Sequence, residues 1–394
     1  MTTEPLRLAA LRHRLGSQQR VTEVCPPPTG WLFDDKGVLR HERTDFFHVT
    51  AAERADGSLR VLMAQPETAL VGLVVSRRDG VRHALLTARC EPGLHEGCQL
   101  SSTVQSTPSN YLRRHGGAAT PHLDLVLDPP PGARVLHDSY QYDWGQYYLG
   151  KTKRFVIVEV DELVETSEPC TWVDEAELTA LVTSDFAITS DLRCALALLL
   201  AHDRGLEASH DAAEALDATR RRTATEPFEP RDLRDVAGWN AVTASPADGE
   251  RPRDAAVSVR AVEVVSESRE VKHWHQPLLA VAEPLVTSLP VRGVGAGRRF
   301  AVERRTATGL LGAQLWYPAG TAGGSTRTVR TSAEGGRFLR HEVVVALGSD
   351  TPATVTSDAT WVSLPELLAL CVRPEATSVE LRLTLSLALV EDHA

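Results

Sequence analysis

Three short stretches of this chain gather side chains that can do chemistry. YDWGQYYLGKTKR, residues 142–154, carries a carboxylate (Asp143), two phenols (Tyr147, Tyr148) and two amines (Lys151, Lys153) just ahead of an apolar run. In a cleft, such groups take a proton, hold a developing oxyanion and return a proton to a leaving group. GCQLSSTVQSTPSNYLRRHGG, residues 97–117, crowds Ser, Thr, Gln and Asn ahead of Arg113 and Arg114. Amides and hydroxyls bind polar ligands with no net charge to desolvate, and adjacent arginines suit a phosphate. A polar surface loop ending in a solvated basic pair would have the same composition. KHWHQPLL, residues 272–279, offers an aromatic face in Trp274, an acid or base in His275 and an amide in Gln276. Within a strand, the Trp and His could equally be satisfied core residues. His273 and His275 alternate as metal ligands do, but no third ligand at familiar spacing accompanies them, so no metal site is expected.

The elements that position these groups must come from a chain of 394 residues, room for two ordinary domains. Hydrophobic residues make up 42% and charged residues 24%, as in a soluble globular protein. The net charge of −10 gives nucleic acid no global attraction, so an anionic ligand needs local Arg or Lys. Six cysteines lie scattered without CxxC pairs, which points to reduced thiols in a cytoplasm rather than a disulfide framework or a zinc site. The N-terminus lacks the apolar core of a secretory signal, and CALALLLA at 194–201 is too short to span a bilayer. A cytoplasmic protein with no membrane partner is expected.

The chain also reads as if written twice. CTWVDEAELTALVTSDFAITSDLRCALALLL (170–200) returns as ATWVSLPELLALCVRPEATSVELRLTLSLAL (359–389), with Trp172 matching Trp361 and Leu192 matching Leu381. Weaker matches join Trp31 to Trp239, Gln65-Pro66 to Gln276-Pro277 and Gln99 to Gln314. Their spacing places a deletion in the second copy where the first has its polar stretch. Each copy predicts an extended segment (45–54; 255–265), then strands. In the first copy LVGLVVSRRDGVRHALLTARC (70–90) turns at Asp79-Gly80 and RFVIVEV (154–160) leads to two helices, with Asp174 and Ser190 as expected caps. In the second helix Leu192, Ala195, Leu196 and Leu199 fall on one face. The expected organisation is a first repeat over 1–203, a helical connector over 204–226 and a shortened second repeat over 227–394. The fold class is α+β, mainly antiparallel sheet with flanking helices. No GxGxxG or Walker segment follows a strand.

QLSSTVQSTPSNY (99–111) resembles the Gln-Leu-(Ser/Ala)-Pro-Thr-Val-Gln-x-Thr-Pro-x-Asn signature of the NDP-hexose 2,3-dehydratase family. EPG (91–93), REVKHWHQPLL (269–279), QYDWGQYY (141–148) and AEGGRF (333–338) support the match, which covers nearly the whole chain. The resemblance implies tandem Nudix-like domains, a homodimer, a dTDP-4-keto-6-deoxyhexose substrate and chemistry in the first-copy pocket. No REx2EExG box is present, so Nudix-type diphosphate cleavage has no ligands. Ser102 stands where the family has Pro and Asp143 where it has Glu. With the trimmed second copy, these departures leave an alternative: a repurposed, non-catalytic nucleotide-sugar or natural-product binder of the same fold.

Dehydration across carbons 2 and 3 of a 4-keto sugar needs no redox cofactor, only a base, oxyanion donors and an acid. The resemblance makes Asp143 the candidate base; the residue types add Tyr148 or Lys151 as candidate oxyanion donor or acid, and His275 as a candidate acid or base. Gln99, Thr103, Gln105, Thr107, Ser109 and Asn110 form the binding set. Arg113 and Arg114 are candidates for the diphosphate. Tyr147, Trp274 and Gln276 complete the expected contacts. One of the two tyrosines is expected to pack at a strand edge, and Lys151 and Lys153 share a face that could be exposed.

Overall fold

The computed structural model describes residues 4–43, 47–53, 59–114, 118–205, 231–235, 257–269, 271–293, 295–310, 314–320, 325–348 and 355–391. The expected helical connector falls outside the described residues from 206 onward, as does Trp239. The rest is α+β and mainly antiparallel, as expected. Among the described residues no helix is long and apolar enough to cross a membrane. All six cysteines are free thiols, and all but Cys25 are buried.

A seven-stranded sheet carries the first half. Arg134–Tyr142, Thr152–Val160, Ala69–Arg78, Val81–Cys90 and Cys170–Asp174 lie side by side. Cys98–Ser101 pairs with Val81–Cys90, and Val104–Ser106 with Ala69–Arg78. One pairing is parallel, Thr152–Val160 on Ala69–Arg78, with Lys153 opposite Ala69. Ala69 to Val75 are continuously apolar and buried because both faces of this strand are covered. The predicted hairpin turns where Arg78 faces Val81, and Asp79 and Gly80 both take the positive φ that a two-residue primed turn demands.

The polar stretch is not one open loop. It folds into the two short strands just named and a single helical turn, Pro108–Tyr111. Its first part, from Gln99 to Thr103, is therefore sealed inside the fold.

In the second half, Leu285–Leu289 runs parallel to Glu342–Gly348, which pairs antiparallel with Ser325–Ser332. A separate sheet joins Gln19–Val24, Val257–Ser266 and His273–Val281, so a strand from near the N-terminus completes a ladder of the second half.

The helices follow their sequence signals closely. Asp174 and Glu177 form a capping box for Glu175–Val182, as Ser363 and Glu366 do for Leu364–Cys371. Thr189 rather than Ser190 caps Ser190–Asp203, accepting from the Leu192 amide at 3.3 Å. That helix was expected to bury one face, yet Ser190 to Ala201 are all buried. The sheet packs on one side and the second-half helices Leu364–Cys371 and Val379–Leu385 on the other. Its Arg193, wholly buried, donates to the Val182 carbonyl at 3.0 Å and reaches Ser386 of the second half at 3.4 Å.

Candidate functional site

Two glycine-bearing turns, one from each half, meet at the centre of the molecule. The first runs from Asp143 to Gly150. Its backbone is stitched to Met63 by the Met63 amide on the Tyr147 carbonyl and the Leu149 amide on the Met63 carbonyl, both 2.8 Å. The second runs from Glu334 to Arg340 and is tied in the same way to Leu279. Each turn is also pinned by a glycine of the other half. Gly93 donates to the Gly335 carbonyl at 2.8 Å, and a Cβ added to Gly93 would lie 1.5 Å from the Phe338 carbonyl oxygen. Gly309 donates to the Gly145 carbonyl at 2.8 Å, and its added Cβ would lie 1.8 Å from the Tyr148 carbonyl oxygen. Only glycine lets backbone approach backbone this closely.

The result is that Glu334, from the second half, enters a nest of first-half groups. Its Oε2 accepts from the Tyr148 hydroxyl at 2.8 Å, from Lys151 at 2.9 Å and from Lys153 at 3.2 Å. Lys153 also donates to both oxygens of Asp191 at 2.9 Å. Asp143 Oδ2 lies 2.9 Å from the Lys151 ammonium and 3.1 Å from that of Lys153, within ion-pair range but at angles unsuited to a hydrogen bond. The Lys151 ammonium sits 3.9 Å above the Tyr148 ring centre. Three carboxylates and two ammonium groups thus share one buried site, with the Arg337 guanidinium nearby.

Electrostatics fixes most of their states. Burial disfavours the Glu334 anion, but the Lys151 and Lys153 ammonium groups and then Arg337 outweigh it and hold this carboxyl well below the usual range. For Lys153, burial disfavours the cation, and Asp143, Asp191 and Glu334 overcome that and hold the ammonium charged to well above its ordinary value. Burial pushes Asp191 up to about 6 against the pull of Lys153, with repulsion from Asp143 and Glu334 adding to the rise. Burial first, and then the Glu334 charge, keeps the Tyr148 hydroxyl protonated far above its usual range.

Above this cluster opens a cleft of about 590 Å³, with Lys153 and Glu334 on its surface. The Tyr148, Lys151 and Lys153 donors to Glu334 all use Oε2. One wall is the later part of the polar stretch: Gln105, Thr107, Ser109, Asn110 and Arg113. Gln105 accepts from the Ser101 hydroxyl at 2.6 Å through its side chain and from Arg89 at 2.7 Å through its carbonyl. Ser109 donates to Glu67 at 2.6 Å and lies 3.1 Å from the Thr107 hydroxyl. The opposite wall is Trp274, His275 and Gln276 from the second half. Gln276 is the brace, accepting from the Trp274 indole and donating to the Gly336 carbonyl, both at 2.8 Å. Arg89, Arg269 and Arg337 add cationic lining. Glu91 is anchored by Arg89 at 2.7 Å, and although burial opposes its charge, Arg89 and Arg269 keep its carboxyl low.

The structure brings together eight of the expected residues as lining: Gln105, Thr107, Ser109, Asn110, Arg113, Trp274, His275 and Gln276. Others lie elsewhere. Gln99 is buried and donates to Ser332 at 3.0 Å. Thr103 is an internal bracket, donating to the Leu85 carbonyl at 2.5 Å and accepting from the Val74 amide at 2.8 Å. Arg114 is largely exposed, with Glu67 3.8 Å away. Tyr147 packs edge-on against Phe338, outside the lining. Asp143, Tyr148 and Lys151 form the layer beneath the floor, with Asp143 and Lys151 having side chains no more than 1% exposed. The lysines are thus buried rather than exposed, and the pocket belongs to both halves rather than to the first alone.

Glu334 and Asp191 were the residues that sequence reasoning missed. AEGGRF was visible as a motif, but nothing local shows that its carboxylate reaches across to lysines of the other half. Glu263 was missed as well. It stands opposite His275 in the ladder and supplies the third group that local spacing around His273 and His275 lacked.

A model of the family described as NDP-hexose 2,3-dehydratase matches residues 14–199 and 210–315. A relative from Streptomyces violaceoruber named dTDP-4-dehydro-6-deoxy-alpha-D-glucopyranose 2,3-dehydratase is 30% identical, over 86% of this chain and 86% of that one. A protein of the same name from Saccharopolyspora spinosa is 27% identical, over 91% and 85% respectively. A solved structure titled "Crystal structure of ADP compounds hydrolase" aligns with 39% of this chain and 75% of that one, at 15% identity and a TM-score of 0.20.

Proposed function

This chain belongs to the NDP-hexose 2,3-dehydratase family, and on that premise we propose that its cleft takes a dTDP-4-keto-6-deoxyhexose and removes water across carbons 2 and 3. The observation that carries the reading is a charged ammonium, Lys153, and an ionised carboxylate, Glu334, 3.2 Å apart on the cleft floor. A 4-keto sugar requires such a pair. The ketone acidifies the carbon-3 hydrogen, an ammonium at the ketone oxygen takes up the enolate charge, and a carboxylate beside it accepts the proton. Glu334 is a weak base while both lysines neutralise it. As the enolate oxygen draws on the Lys153 charge, the proton affinity of Glu334 rises in step with the transfer.

The enolate then collapses. Its electron pair forms the carbon 2–carbon 3 double bond as the carbon–oxygen bond at carbon 2 breaks, and His275 on the facing wall protonates the departing hydroxide to water. The enol left at carbon 3 tautomerises to a 3,4-diketo-2,6-dideoxyhexose. Asp143, Tyr148 and Lys151 act as positioning residues beneath the floor, so we move the base from Asp143 to Glu334. Trp274 offers its face to thymine, Gln105, Thr107, Ser109 and Asn110 offer neutral donors and acceptors, and Arg113 joins the other cleft arginines near the diphosphate.

Incubating the purified chain with dTDP-4-keto-6-deoxyglucose and following mass tests the reading. Loss of one water is expected. Deuterium uptake at carbon 3 without mass loss would reduce the activity to enolisation, and dTDP binding with neither would favour a repurposed binder.

The same proposal takes the two halves as diverged copies of one Nudix-like unit acting in a homodimer. Matched features support the duplication. The parallel bridge Met63–Tyr148 corresponds to Leu279–Phe338, Leu100–Ile188 corresponds to Trp316–Thr377, and the capping boxes at Asp174 and Ser363 stand in equivalent places. Superposing the halves in an experimental structure tests the duplication, and sedimentation equilibrium tests the dimer.

A further inference from the structure

At the rim of the cleft, the ladder between Val257–Ser266 and His273–Val281 sets two side chains that the dehydration leaves unused, Glu263 and His273, beside one that it uses, His275. Glu263 stands opposite His275, and His273 lies two residues along the same strand and therefore on the same face. The ligand atoms of Glu263, His273 and His275 all lie within 4.8 Å of one another. His273 Nε2 is 2.8 Å from Glu263 Oε1, and the two imidazole centres are 5.3 Å apart with their planes tilted by 59°.

From this geometry we infer that Glu263, His273 and His275 form a binding site for a first-row transition-metal dication of the zinc class. Zinc binds imidazole nitrogen and carboxylate oxygen at about 2.0–2.2 Å, which sets its ligand atoms roughly 3.3 Å apart in a tetrahedron. One present separation, 2.8 Å, is somewhat shorter than that value and none exceeds 4.8 Å, so modest side-chain rotation on a fixed ladder closes the site. Two imidazoles and one carboxylate select zinc, nickel or copper over magnesium or calcium, which prefer all-oxygen shells. Three protein ligands leave a fourth position for water or another exchangeable ligand. Because His275 also lines the cleft, a bound ion holds its imidazole at the rim and withdraws it from substrate. The site therefore doubles as a point of metal inhibition. Only this inhibitory arm rests on the dehydratase reading; the binding arm stands apart from it.

The experiment titrates ZnCl₂ into the chelator-stripped full-length chain by calorimetry, with MgCl₂ as control, and repeats it on Glu263→Ala, His273→Ala and the double variant. Both side chains are partly or largely exposed, at 33% and 56%, and carry no role in turnover, so the variants retain their fold. The expected result is one zinc per chain with a dissociation constant of about 10 μM or tighter, weakened at least about tenfold in each single variant, and no comparable magnesium uptake. Quenching of Trp274 by nickel, lost in the double variant, gives a local second readout. Zinc is also expected to inhibit turnover of the parent reversibly on adding EDTA and to spare the double variant. Zinc uptake no tighter than about 1 mM, or equal affinity and stoichiometry in parent and double variant, overturns the site. Binding as expected but with equal zinc inhibition of parent and double variant overturns the inhibitory role.

Discussion

At the residue scale, the buried charges are bound to one another's states. Replacing Glu334 by Gln keeps its shape but leaves Lys151 and Lys153 short of an anion. Breaking a buried pair in this way costs about 3–5 kcal/mol, so the variant is expected to melt well below the parent. Loss of the base is expected to lower kcat by about 10²–10⁴-fold, measured by product mass at saturating substrate. Lys153→Met is expected to lower kcat by about 10²–10³-fold, as loss of a principal oxyanion donor does. Asp191 sets a pH dependence. Its folded carboxyl is raised from 3.8 to about 6, so it contributes stability that is present below 3.8 and lost as pH rises through about 6. Glu334, held below 4.5, contributes with the opposite sign: stability present above 4.5 and lost as pH falls through its lowered value. In the active range the visible step is that of Asp191. Below about 6 it takes a proton, Lys153 loses an anchor, and kcat/KM is expected to fall. Asp191→Asn is expected to remove that step from the profile, and its survival at the same pH would refute the assignment.

At the element scale, the strands and helices were legible wherever a local rule decides them. Asp79-Gly80 marked its hairpin by the positive φ that only a few residue types accept, and Asp174 marked a helix start through its pairing with Glu177. The polar stretch was legible as chemistry but not as shape. Gln99 and Thr103 carry the same side-chain types as Gln105 and Thr107, and only pairing of the short strands with the sheet decides which two are sealed inside. Glu263 was hidden for the same reason, since a cross-strand neighbour lies far off in sequence. The EPG motif gains a physical reason at this scale: Gly93 lets one loop lie against the turn that delivers Glu334. Gly93→Ala forces a methyl group onto a backbone carbonyl. It is expected to destabilise by about 1–3 kcal/mol and to lower turnover by misplacing Glu334, read by thermal melting and kcat together.

At the scale of the whole molecule, the two halves are interlocked rather than merely joined. Each contributes a glycine that seats the other's turn, and a buried helical arginine of each half reaches into the other: Arg193 to Ser386, and Arg382 to the Tyr142 carbonyl at 2.7 Å. Fragments 1–205 and 227–394 expressed separately are therefore expected to show no turnover, and mixing them after co-expression is the condition under which activity returns. This exchange was not legible in the sequence, because nothing in either half announces what it gives away. Mutual seating also constrains descent. Once a shared centre is assembled from both halves, neither can be discarded, and a drifting residue in either half is exposed to selection on the single reaction they build together.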